Sequence, residues 1–259
     1  MRIDCHTHGD PGRVQDPQAY IAACRERGIE AIVLIEPLDR CMQAVERFGD
    51  FIIPVARIDM DAAGVQEVEA CVQAGCPGIK FIRPAAPYGD ERYWPLYGRL
   101  EELGVTAVYH TGYLGTQGRE LRPVQIEHMR AAQIDVIARR FPDLKILMAH
   151  FSNPWWEEAW KISWTHANVY ADLSGGTAIY RATRMWAETF APDGELLESS
   201  VRKLCFASDV RYFQEGTFPF EPYITFHHRI LERIGASEAL REQVYRGNAR
   251  ELFGLAPRL

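Results

Sequence analysis

The sequence predicts an α/β fold, a single (β/α)8 TIM barrel over residues 1–259, and three observations lead there. Short apolar, β-branched runs alternate with longer, helically periodic segments along the whole chain, and the strand-like runs number eight. The length of 259 residues is about what eight such units consume. The stretch after the first run, Cys5-His6-Thr7-His8-Gly9, lacks the glycine-rich phosphate turn of a doubly wound sheet, the competing architecture.

The elements follow in order. Arg2–His6 is the first strand, and Asp16 is a cap for a helix over Pro17–Arg27. Ala31–Ile35 is the second strand, followed by Arg40–Phe48 after Asp39; Ile52–Ile58 is the third, followed by Ala62–Ala74 after Asp61. Gly78–Arg83 precedes the helix Trp94–Leu103, and Thr106–His110 precedes Val124–Phe141. Lys145–His150 leads into Pro154–Thr165, and Val169–Leu173 into Ala178–Thr189 and Gly194–Val201. Lys203–Ala207 is the eighth strand, and helices Glu221–Ile234, Ser237–Arg246 and Ala249–Phe253 close the chain.

Composition narrows the partners. With 29 basic and 35 acidic residues the net charge is -6, and no basic stripe offers a nucleic-acid footprint. No apolar run nears the roughly 20 residues that cross a bilayer. The polar residues Asp4 to His8 stand where a signal peptide would carry its apolar stretch, so the expected compartment is the cytoplasm. Six cysteines without a C-x-x-C pair read as reduced thiols. The expected partner is a small-molecule substrate, with neither nucleic acid nor membrane.

In such barrels the chemistry sits at the carboxyl ends of the strands. Strand alternation puts Asp4, His6 and His8 on one face, where two imidazoles can converge on one ion. The fifth run ends in His110, the sixth in His150, and Asp209 follows the eighth. Lys80 points inward from the fourth strand. A lysine there needs a partner, Asp4 or Asp209, or carbamylation, which would make it a carboxylate ligand between two metals. Arg83 and Arg211 read either as clamps for a substrate carboxylate or as loop charges. Tyr113 and Trp155 are candidate pocket walls. Trp156, Trp160 and Trp164, spaced by four, read as a packing stripe or a subunit interface.

The D-x-H-x-H of Asp4-His6-His8, followed by His110, His150 and Asp209, resembles the amidohydrolase superfamily of metal-dependent barrels. The closest resemblance is to the amidohydrolase-related branch, which includes aminocarboxymuconate-semialdehyde decarboxylase and related decarboxylases, hydratases and lactone hydrolases. The tail Gly247-Asn248-Ala249-Arg250-Glu251-Leu252-Phe253-Gly254-Leu255 is similar to that branch's closing segment. The resemblance implies His6, His8, His110 and Asp209 as metal ligands. It makes His150 an acid–base group beyond the metal or a ligand of a second one, and Asp209 the residue that helps activate water. The metal implied is divalent, zinc first, with manganese, iron or cobalt compatible with the same donors.

The favoured reaction is hydrolysis of a small amide, lactone or ester by a metal-activated water, with Asp209 and His150 as catalytic residues. Non-oxidative decarboxylation of an unsaturated or aromatic acid uses the same ligands and is the alternative. A barrel that has lost catalysis and serves as a binding protein is the reading outside enzymes. Eight units consume nearly all the chain, so short loops, or a neighbouring subunit in a homodimer, must select the substrate.

Overall fold

The computed structural model describes residues 1–115, 125–175 and 177–256. Nine strands form one parallel sheet: β1 (Arg2–Gly9), β2 (Ile29–Glu36), β3 (Ile52–Arg57), β4 (Gly78–Phe81), β5 (Thr106–His110), β6 (Ile146–Ala149), β7 (Val169–Asp172), β8 (Leu204–Cys205) and β9 (Val210–Tyr212). The helices are α1 (Pro17–Glu26), α2 (Leu38–Phe48), α3 (Val65–Gln73), α4 (Trp94–Leu103), α5 (Ala131–Arg140), α6 (Trp156–Thr165), α7 (Thr183–Phe190), α8 (Glu198–Val201), α9 (Glu221–Arg233), α10 (Glu238–Glu242) and α11 (Asn248–Phe253).

From β1 to β8 each strand pairs with its successor, which excludes the reversed strand order of a doubly wound sheet. The predicted eighth strand is corrected. Lys203–Ala207 forms a ladder only over Leu204–Cys205, beside β7, and the edge facing β1 is taken up further along by Val210–Tyr212. Between the two pieces the seam is single bonds: Cys5 N–H donates to Phe206 O at 2.9 Å and Asp209 N–H to His6 O at 2.7 Å. This interrupted strand closes the barrel.

Local chemistry explains the starts of some helices and corrects others. Asp16 caps α1 as expected, accepting from Gln18 and Ala19 N–H at 3.0 Å, and Pro17 occupies the first turn, where its missing N–H costs nothing. Asp39 is no cap, because α2 already begins at Leu38. Asp61 instead accepts from Ala85 N–H and from the Tyr93 hydroxyl, and α3 starts only at Val65. The start of the predicted helix Val124–Phe141 lies outside the described residues; a short turn at Ile126–Met129 precedes α5.

The core has two layers. Inside the barrel Ile3, Cys5, Val33, Ile35, Ile53, Val55, Val108 and Leu147 pack together, and Leu252 and Phe253 of α11 join them. The tail therefore plugs the amino end of the barrel. Thr106, at the start of β5, donates its hydroxyl to Leu252 O, and Asn248 donates to Arg202 O and Leu204 O at 2.8 and 2.6 Å. Burying those apolar side chains stabilises the floor by roughly 1.5–3 kcal/mol each. Outside, a larger apolar layer joins β3–β8 to α3–α7 and α9, and a third cluster packs α1 and α2 against β2. With the floor filled, the carboxyl ends of the strands are the open end.

Candidate metal centre

The first strand does not keep strict alternation, and this decides the site. Ile3 and Cys5 pack inside the barrel, so Asp4 between them is aimed at the outer layer. There it accepts from Ser208 N–H at 3.0 Å, the Ser208 hydroxyl at 2.6 Å and the Tyr212 hydroxyl at 3.0 Å. The β1–β2 register slips between Asp4 and Thr7, and the irregularity brings His6 back to the mouth. Asp4 therefore does not share a face with the histidines. Its oxygens are committed to the seam, and its expected pairing with Lys80 is not formed. Burial pushes the Asp4 carboxyl up to about 7, against the hydrogen bonds that Ser208, His6 and Tyr212 donate to it.

Among the described residues two donor sets, each within 4.8 Å, share His6: His6, His8 and Asp209, and His6, His150 and Asp172. In the first, His8 Nε2 lies 3.2 Å and His6 Nε2 3.7 Å from Asp209 Oδ1. His8 Nδ1 is 2.8 Å from Ile35 O, so it carries the proton and leaves Nε2 a lone pair. In the second, Asp172 Oδ2 approaches His6 Nδ1 at 3.6 Å, too far for a hydrogen bond. Both atoms are buried without a hydrogen-bond partner. Asp172 Oδ1 accepts from the N–H groups of His150 and Ser174 at 2.9 Å. His150 Nδ1 faces the Ser174 hydroxyl at 3.0 Å and Ser174 O at 3.2 Å.

Backbone geometry shapes the rim. Asp209 sits at φ +63°, a conformation aspartate tolerates better than most residues, and His150, Phe151 and Ser152 follow one another at φ +67°, +47° and +50°. Gly175, at φ +72°, passes so close that a Cβ there would lie 2.5 Å from Asp209 Oδ2 and 2.9 Å from His150 Nδ1. Only glycine leaves the space between those two groups open.

The protonation states suit a cation. Burial pushes the imidazoles of His6, His110 and His150 down, and the Lys80 charge adds to this at all three. Burial alone would raise Asp209, but the imidazoles around it favour its charged form, through whatever proton or positive charge they share with it, and hold the carboxyl below its usual range. Neutral imidazoles beside an ionised carboxylate are what a divalent ion requires of its ligands. His6 Nδ1, Asp172 Oδ2 and the Gly175 gap fit such an ion.

Lys80 does point inward and is buried, with Nζ bonded to nothing among the described residues. Burial brings its ammonium down to about 8, opposed by the charges of Asp172 and Asp209. Its expected direct pairing with Asp209 is likewise not formed. His110 stands outside both donor sets, with its ring centroid 4.6 Å from that of His150 and Nε2 without a hydrogen-bond partner. Arg83, at φ +59°, has a buried Nε with no acceptor, and its charge helps depress His110. Arg211 is exposed, opposite His8 in the β1–β9 register. Tyr113 is 56% exposed beyond His110. Trp155 is covered by Arg130, 4.6 Å above its ring.

Sequence reading missed Asp172. The apolar run predicts a seventh strand ending at Leu173, which hides Asp172 inside it, whereas β7 ends at Asp172. The same strand-end rule that found His110 and His150 finds it once β7 stops at Asp172.

A family model described as amidohydrolase matches residues 3–255. The chain belongs to the amidohydrolase family. It is an enzyme of that family, and its fold is that family's barrel. An uncharacterised TIM-barrel protein of Bordetella bronchiseptica superposes with a TM-score of 0.70 at 18% identity, covering 99% of both chains. A 2,6-dihydroxybenzoate decarboxylase from Rhizobium gives 0.64 at 18%, covering 98% of each chain. A probable 2-pyrone-4,6-dicarboxylic acid hydrolase from Acinetobacter baumannii gives 0.62 at 14%, covering 98% of this chain and 99% of that one. No protein with a curated functional description matches. At these identities the neighbours speak to the fold. Among the described residues no helix is long and apolar enough to cross a membrane.

Proposed function

We propose that this member of the family is a metal-dependent hydrolase that opens a small amide, lactone or ester with an activated water. The observation that carries the reading is the convergence of His6, His8 and Asp209 at the open end of the barrel. His6, His8 and Asp209 would hold a divalent ion, zinc first, with manganese, iron or cobalt suited to the same donors. His150 and Asp172 are placed to steady His6 or to hold a second ion, and His110 lines the centre behind His150. When bound, the ion lowers the pKa of a water and polarises a carbonyl oxygen. Asp209, ionised and 29% exposed, takes the proton of the attacking water. His150, held at Nδ1 by the Ser174 hydroxyl, relays that same proton through Nε2 from Asp209 to the leaving group, so that both residues end as they began.

A second reading, decarboxylation of an aromatic or unsaturated acid, is favoured by the two arginines. Arg83 has no acceptor for its buried Nε, and Arg211 stands beside His8, so a substrate carboxylate would meet two cations. The partner in both cases is a small molecule, and a homodimer fits the short loops. Six buried free thiols fit a reducing cytoplasm.

Metal analysis coupled to a substrate panel tests the proposal. We expect a stoichiometric divalent cation in the purified protein, its loss in a His6→Ala/His8→Ala variant, and turnover of a lactone, ester or amide without CO2 release. CO2 evolved from a hydroxybenzoate, with no ester or lactone turnover, would move the assignment to the second reading. A cation retained by the double variant would refute the ligand set.

A further inference from the structure

A cavity of small-molecule size lies away from the metal centre. It has a volume of about 840 Å³, lies outside the barrel against α6, α7 and the connection 191–197, and is lined by Trp156, Trp160, Arg181, Met185 and Leu197 among others. His6, His8, His150 and Asp209 have no part in it. Its size falls in the range of small-molecule pockets, roughly 300–1,000 Å³.

The Arg181 guanidinium lies 4.3 Å above the Trp156 ring and 4.6 Å from the Trp186 ring. Its Nε and Nη1 are shut off from solvent and meet no acceptor among the described residues, and the indole N–H groups of Trp156 and Trp160 are in the same state. Arg130, elsewhere on the surface, shows what a satisfied arginine looks like here: it stacks on Trp155 at 4.6 Å and is also paired with Glu158 and Glu127. Arg181 has the aromatic partners and feels the Glu157 charge, but has no ion pair among the described residues. Glu157 and Glu188 also line the cavity, but neither forms an ion pair with Arg181, and Glu188 accepts from Asp193 N–H. Two buried guanidinium nitrogens and two indole donors without acceptors are costly to maintain in a merely structural wall.

We propose that this cavity is a second ligand site, for an organic carboxylate with an aromatic or branched apolar body. Arg181 receives the carboxylate. Arg184 and Arg233, also on the wall, add to the positive field, while Trp160, Met185 and Leu197 enclose the apolar body.

Isothermal titration calorimetry of the full chain with 4-phenylbutyrate and with its neutral analogue 4-phenylbutan-1-ol tests this. The wild type should bind the carboxylate at least about tenfold more tightly than the alcohol, the ratio a charge-assisted hydrogen bond supplies. Arg181→Gln should bring the two to parity, and Trp160→Phe, which keeps the ring and loses the N–H, should weaken the carboxylate about threefold or more. Arg83→Gln and His6→Ala, which alter the metal centre, should leave binding unchanged. The proposal is overturned by equal binding of acid and alcohol or by the absence of saturable heat. It is also overturned by a preference that survives both Arg181→Gln and Trp160→Phe, or by loss of binding in Arg83→Gln instead.

Discussion

Replacing Gly175 by alanine tests the metal centre through a single methyl group. That methyl would stand 2.5 Å from Asp209 Oδ2, where ordinary contact begins at 3.4 Å, so the oxygen must retreat by 3.4 − 2.5 = 0.9 Å. Metal–ligand distances tolerate about 0.2 Å, and the displacement is several times larger. The same substitution places alanine at φ +72°, a backbone strain of about 1 kcal/mol. Gly104→Ala isolates the strain, because Gly104 has φ +66° and nothing within 4 Å of its Cβ position. Both variants should lose about 1 kcal/mol in urea unfolding. Only Gly175→Ala should lose affinity for zinc, by about tenfold or more in competition with a chromophoric chelator. A Gly175→Ala protein that binds zinc as tightly as Gly104→Ala would refute the reading that zinc binding needs the Asp209 carboxylate in its present position.

Three further outcomes are expected. Asp172→Asn turns an amide N–H toward His6 Nδ1, favours the wrong imidazole tautomer and should weaken metal binding by about 10–100-fold; unchanged affinity would mean that Asp172 does not orient His6. Asp4→Ala strands three buried donors at the barrel seam and should cost about 3–5 kcal/mol in urea unfolding, and a loss below about 1 kcal/mol would show the seam is held otherwise. His227 is buried in α9, where burial pulls its imidazole down to about 4. Its neutral form is favoured by folding, so its contribution is whole above about pH 6.5 and disappears as pH falls toward 4, amounting to about 3 kcal/mol. His227→Leu should flatten that part of the stability–pH profile, and a variant with the wild-type slope would refute the assignment.

Most of the barrel was legible because its signals are local. Apolar β-branched runs, the Asp16 cap and histidines at strand ends each follow from a few neighbouring residues. What escaped depends on partners distant in the chain. Strict alternation put Asp4 with His6 and His8, but the slip against β2 separates them, and register is a property of two strands. The eighth strand looked continuous, whereas β7 and β1 each claim a different piece of it. Lys80 was correctly read as inward. Of its two expected acids, Asp4 is held by Ser208 and Tyr212, some 200 residues away in sequence, and Asp209 faces His6 and His8.

The split eighth strand has a consequence for the order of folding. Asp4 and Ser208, which join across the seam, are 204 residues apart, so closing that loop is among the last events available to the growing chain. His6 and His8 lie far along the chain from Asp209, and they become neighbours only when the seam closes. The cation site then cannot exist in a partly closed barrel. Capture of the metal would mark completion of the fold, and an ion that binds only the closed form would in turn hold the two ends of the sheet together.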